Sequence, residues 1–106
     1  MEERLNDRVD SLKQFVDESP DDPLPRYGLA MEYRRLGQLE ASDEVFRQIR
    51  ERFPDYLPQY LIHGQVLESL DRQDAAREAY TLGLEKAEAA GEAHAARELE
   101  AARDAL

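Results

Sequence analysis

The shift that carries Pro20 onto Pro54 lays this sequence onto itself. The same shift places Leu12 on Phe46, Phe46 on Tyr80, Phe15 on Ile49, Tyr33 on Leu67, Leu36 on Leu70, Ala41 on Ala75 and Ser42 on Ala76. The matches keep helical phase and carry their helix breakers with them, which chance pairing rarely does. A period of about 20–50 residues marks a repeat architecture, in which one supersecondary unit cannot bury its own apolar face and must stack on neighbours.

Proline and glycine cut the chain into helical segments. Pro20, Pro23 and Pro25 fall together, followed by Gly37, then Pro54 and Pro58, then Gly91. Between them the apolar spacing is helical. Leu5, Val9, Leu12, Phe15 and Val16 share one stripe, and Ala95, Leu99, Ala102 and Leu106 form a narrower one near the end. The pattern predicts six helices, at about residues 3–18, 23–36, 39–52, 56–70, 74–89 and 92–106. Asp22 is placed to cap the second helix with Pro23 in its first turn, and Gly37 suits a left-handed stop at its end. No run of alternating β-branched residues is present, so no strand is expected. The short connections force neighbouring helices antiparallel.

Composition excludes more than it suggests. A hydrophobic fraction of 42% is enough for a core despite 36% charged residues. The absence of cysteine removes disulfides, zinc–thiolate sites and a thiol nucleophile. No apolar run approaches the roughly 20 residues that span a bilayer, and none near Met1 reads as a signal peptide, so a cytoplasmic protein without membrane association is expected. The net charge of -10 disfavours nucleic-acid backbones. That charge is uneven: residues 23–52 carry six basic and five acidic side chains and form the one near-neutral stretch. Of the 14 basic residues all but Lys13 and Lys86 are arginine. Acid excess with arginine in place of lysine fits either adaptation to high salt or a GC-rich genome.

The residues at the repeat positions resemble the tetratricopeptide repeat family, whose 34-residue pattern runs through an aromatic, Leu-Gly, Tyr, then Ala, Phe and Pro. In residues 23–56, Leu29-Ala30 stands for Leu-Gly, Tyr33 for Tyr, Ser42 for the small residue and Phe46 for Phe, and Pro54 closes the unit. The leading aromatic falls on Arg26, a departure, with Tyr27 beside it. In residues 57–90, Tyr60 is the aromatic, His63-Gly64 replaces Leu-Gly, Leu67 replaces Tyr, Ala76 matches and Tyr80 replaces Phe. Glu88 stands where the closing proline would be, so that helix should continue to Gly91. The resemblance implies an all-α fold: a right-handed superhelical stack of antiparallel helix pairs, six helices with no strands. It implies one domain over residues 1–106, with a half-repeat helix at 1–22, repeats at 23–56 and 57–90, and a capping helix at 91–106. Ala30, Ser42, Gly64 and Ala76 would sit where paired helices cross, and Tyr33, Phe46, Leu67 and Tyr80 would fill the space between successive units.

In such a stack the first helix of each unit lines a concave groove. Tyr27, Met31 and Arg34 recur at i, i+4 and i+7, Leu61, Gln65 and Glu68 occupy the equivalent places one period later, and Arg35 and Ser69 flank them. The groove is apolar at one end and polar at the other, and suits a peptide segment or partner helix. The plainer alternative puts Tyr27, Met31 and Leu61 in packing contacts and leaves Arg34 and Arg35 as a solvated face. Some family members grip chaperone tails with lysine and asparagine on the inner helices; Tyr27 and Met31 take those places here, so that activity is not expected. His63 and His94 are the only histidines, His63 expected partly buried at a helix crossing, and the acidic cluster Asp17, Glu18, Asp21 and Asp22 lacks a glycine-centred calcium loop. No metal site, cofactor or catalytic constellation is expected. Two readings remain: a non-catalytic module binding a protein or peptide partner, and a self-associating or scaffold element, with a homodimer through the first helix as one form.

Overall fold

The computed structural model describes residues 2–106, with side chains from residue 7 onward. Among the described residues there are six helices and no strand: α1 (Glu2–Glu18), α2 (Pro23–Arg35), α3 (Leu39–Arg52), α4 (Pro58–Ser69), α5 (Gln73–Ala90) and α6 (Ala93–Asp104). The chain divides into two compact units, Met1–Phe53 and Pro54–Leu106. In the first, α2 packs on both α1 and α3; in the second, α5 packs on α4 and α6, and α4 also meets α6.

The helix ends follow from local chemistry. Asp22 has extended backbone angles and its Oδ1 accepts the Leu24 amide at 3.0 Å, with Pro23 in the first turn where a missing N–H costs nothing. The turns after α2 and α4 close in the same way. Gln38 N donates to Tyr33 O at 2.9 Å and Arg72 N to Leu67 O at 2.9 Å, each with a second bond one residue earlier. Both turns need a left-handed residue. Gly37 supplies it at φ +75°, whereas Asp71, at the matching place in the next repeat, adopts φ +58° with a side chain in place. Gly91 repeats the device after α5, which does run on past Glu88.

Each unit depends on a close approach between its paired helices. In the first, the fully buried Ser42 donates its Oγ to the Ala30 carbonyl at 2.8 Å. Such contact is open only to a small side chain facing a small side chain. In the second, the Tyr80 ring lies over Gly64, so that a Cβ there would stand 2.1 Å from Tyr80 Cε1. The core of this unit comprises Tyr60, Leu67, Ala76, Ala79, Tyr80, Leu84, Ala87 and Leu99. The stripe expected on the last helix packs against it through Ala95, Leu99, Ala102 and Leu106, with Ala96 added.

Two expectations change. Phe15 is 54% exposed rather than part of the α1 stripe; it lies about 100° round the helix from Val16, while Val9 is buried and Leu12 and Val16 half-buried. Leu5, expected on the same stripe, lies outside the described side chains. Within its own unit Phe46 packs edge-to-face on Tyr27, and Tyr80 lies on Gly64. His63 is fully buried rather than partly so.

Glycine-to-alanine changes separate backbone cost from steric cost. Gly37→Ala meets no atom within 4 Å, so it loses only the left-handed conformation, about 1 kcal/mol. Gly64→Ala drives a methyl into the Tyr80 ring and should cost about 1–3 kcal/mol through overpacking. Urea denaturation of the two variants is expected to rank Gly64→Ala below Gly37→Ala.

Candidate functional site

The first unit carries an open hollow on the α1–α2 face. Arg8 comes from α1, and Gly28, Met31, Glu32, Arg34 and Arg35 come from α2. Three of the four α2 residues expected in a binding face, Met31, Arg34 and Arg35, therefore share one concavity, with half-buried Met31 as its apolar component. The fourth, Tyr27, is half-buried, its ring 6.2 Å from that of Phe46 at an interplanar angle of 71°. That edge-to-face geometry is the favoured one for two rings and ties Tyr27 to the packing of α2 on α3.

Glu32 organises the hollow, and sequence reasoning did not single it out. Its side chain is only 3% exposed, yet it is held between two arginines: Arg8 Nε at 2.6 Å from Oε2 and Arg35 Nε at 2.5 Å from Oε1. A carboxylate removed from water needs such partners. The guanidiniums themselves stay largely in solvent, with Arg8 70% and Arg35 58% exposed. The hollow thus presents three arginines around one satisfied acid, a cationic spot on an acidic chain. The i, i+3 spacing of Glu32 and Arg35 was visible as a helix pair; the reach of Arg8 across from α1 was not.

In the second unit the equivalent residues behave differently. Leu61 packs against the core cluster. Glu68 accepts the hydroxyl of the buried Tyr80 and so holds the ring that covers Gly64. Gln65 is half-buried and Ser69 exposed. His94 Nε2 lies 3.1 Å from Glu98 Oε1 on the exposed face of α6. Among the described residues no group of three or more acidic or histidine side chains could hold a metal ion, and no helix is long and apolar enough to cross a membrane.

Paired helices built on one recurring period, with small residues at their crossings and left-handed turns at matching places, define a helical-repeat protein. The family model for the tetratricopeptide repeat matches residues 26–56. A tetratricopeptide repeat domain protein from Salinibacter ruber is 34% identical; its crystal structure aligns over 77% of this chain and 91% of that one with a TM-score of 0.72. Its solution structure aligns over 79% and 85%, with a TM-score of 0.75. The TPR2B domain of yeast Sti1, in its complex with pHsp70, shares the fold at 14% identity, with a TM-score of 0.85 over 96% of this chain and 82% of that one. No curated protein matches the sequence. The chain belongs to the tetratricopeptide repeat family.

Glu32→Gln keeps the shape and removes the charge that both arginines face. A loss of about 1–3 kcal/mol is expected, and most of the Arg8→Gln effect should vanish in the Glu32→Gln background when the double-mutant cycle is measured by thermal melts. Tyr27 gives a second test. Burial raises its phenol above the usual value, opposed by the neighbouring Arg34 charge. The contribution is whole below about pH 10, where folded and unfolded phenols are both neutral, and is lost as pH climbs through the raised value. Tyr27→Phe should therefore flatten the alkaline limb of a stability–pH profile.

Proposed function

We propose that this chain is a non-catalytic protein-interaction module of the cytoplasm. In this reading a peptide or helix of a partner protein lies on the first helix of each repeat, with contact residues Tyr27, Met31, Arg34 and Arg35 on α2 and Leu61, Gln65, Glu68 and Ser69 on α4. The accompanying division takes residues 23–56 and 57–90 as the repeats, residues 1–22 as a half-repeat and residues 91–106 as a cap. Neither nucleic acid nor membrane is a partner, consistent with the net charge of -10.

The observation that carries the reading is the hollow in which Met31 lies among Arg8, Arg34 and Arg35. An apolar anchor would gain affinity from Met31, whose unbranched thioether adapts to many shapes. The exposed Arg8 and Arg35 guanidiniums would orient an acidic group beside it. The complexed Sti1 domain supports the use of this fold for partner recognition, while its low identity lends nothing at residue level.

A second reading, self-association, is favoured by one observation. Among the described residues, Phe15 at 54% and Leu24 at 60% exposure are the large apolar side chains left most open to water, both in the first unit. Light scattering that shows a strict monomer across a wide concentration range removes it.

Peptide display followed by amide chemical-shift mapping tests the leading reading. Selected peptides are expected to perturb Met31, Arg34, Arg35, Leu61 and Gln65, and Met31→Glu should weaken binding at least tenfold with an unchanged melt. Perturbations scattered over α3, α5 and α6 would overturn it.

A further inference from the structure

The two units solve one structural problem with different side chains. Tyr60, opening the second repeat, donates its hydroxyl to the Pro54 carbonyl at 2.5 Å. Arg26, at the matching place in the first repeat, does the same job with Nη1, at 3.0 Å from the carbonyl of the equivalent Pro20. A tyrosine has one such donor and uses it. An arginine has five and a full charge, so the substitution leaves more hydrogen-bonding capacity than the fold requires. Arg26 is only 9% exposed, and its buried Nε–H has no hydrogen-bond partner among the described residues. Nη1 being engaged, the edge left over is the Nε/Nη2 fork, whose two parallel N–H groups match the two oxygens of a carboxylate.

The surroundings extend the pattern. Arg26 lines a second hollow of the first unit with Gln48, Glu51 and Arg52, all on the last turns of α3. Arg52 is held loosely: its Nη2 is 3.8 Å from Oδ1 of the exposed Asp21, and its guanidinium carbon is 5.9 Å from the Phe53 ring centre. In the second unit the equivalent Lys86–Asp55 pair closes to 2.9 Å. Burial and the Arg52 charge both push the Arg26 pKa down, against a smaller pull from Asp17. The negative groups facing the hollow are thus Glu51 on its rim, Asp17 at longer range and Asp21 through Arg52, and among the described residues none of them accepts a hydrogen bond from the Arg26 Nε–H.

We propose that this hollow is a carboxylate-binding site, in which the Nε/Nη2 edge of Arg26 takes both oxygens of the ligand, Arg52 supplies a second positive charge and the Gln48 amide a further donor. It lies apart from the Met31 hollow, uses different residues and does not depend on partner capture there. The ligand is a carboxylate carried either by a small acid or by a glutamate or aspartate of another polypeptide. Glu51 acts as the competing anion and keeps the site selective for ligands that can displace it.

The probe is sodium acetate, titrated into nitrogen-15-labelled protein at ionic strength held constant with sodium chloride, with the Arg26 Nε–H resonance observed directly. A saturable shift is expected. Arg52→Gln should raise the half-saturation concentration at least threefold, and Glu51→Gln should lower it; both residues are exposed, so both variants should fold. Arg26→Lys, checked by its melt, keeps the charge but loses the fork and should abolish the response. In a second arm an amidated peptide with one glutamate replaces acetate. Saturation at lower concentration assigns the carboxylate to a polypeptide, and equal concentration assigns it to a small acid; either supports the site. A shift that never saturates, that chloride reproduces, or that Glu51→Gln weakens would overturn the proposal. Failure here would leave the Met31 reading standing, because acetate binding at Arg26 makes no use of its residues.

Discussion

Close approach of two helices is the constraint on which each unit rests. Where α2 meets α3, the distance is set by a serine hydroxyl reaching a backbone carbonyl, Ser42 to Ala30. Where α4 meets α5, it is set by a flat ring over a bare backbone, Tyr80 on Gly64. Both are ways of bringing axes together without a void. They differ in what they demand next. The serine bond is complete in itself, whereas the tyrosine carries a hydroxyl that must be satisfied after burial, and Glu68 at the far end of α4 provides the acceptor. A residue that sequence position suggests for partner binding thereby also serves the fold of its own unit.

The same divergence under a shared frame runs through the repeat. Position 26/60 holds arginine in one unit and tyrosine in the other, and both reach the carbonyl of the equivalent proline. Position 37/71 holds glycine and aspartate, and both adopt the left-handed turn. Position 52/86 holds arginine and lysine, and both face the equivalent aspartate, at 3.8 Å and 2.9 Å. The backbone tasks are fixed by topology; the side chains need only perform them. Whatever a side chain offers beyond that task is free to serve another purpose, and Arg26 offers the most.

Helix number and type, with most ends, were legible in the sequence because they depend on local signals: Asp22 before Pro23, Gly37 and Gly91 at φ above zero, and apolar residues in helical phase. Phe15 was misplaced because an apolar stripe defines a sector of the helix, and a residue about 100° from its neighbour can satisfy the spacing while facing water. His63 was read as partly buried at a helix crossing, in place of an interface leucine, and its position beside Gly64 on α4 buries it fully. Of the candidate site, Met31, Arg34 and Arg35 were legible as one face of one helix. Arg8 and Glu32 were not, since their pairing joins α1 to α2 and no spacing rule within one helix reports it.

Electrostatics links these observations to recognition. A carboxylate such as Glu32, buried between exposed arginines, fixes where their charges stand without cancelling them towards solvent. Arg26 is the converse: a buried cation whose Nε–H has no partner among the described residues and which acids attend only loosely. Both lie in the half of the chain that contains its near-neutral stretch, while the segments on either side are acidic. An incoming carboxylate therefore meets repulsion over most of the surface and attraction at a few defined places. That contrast favours specificity over general stickiness, because a ligand that misses those places gains nothing and meets the long-range repulsion in full.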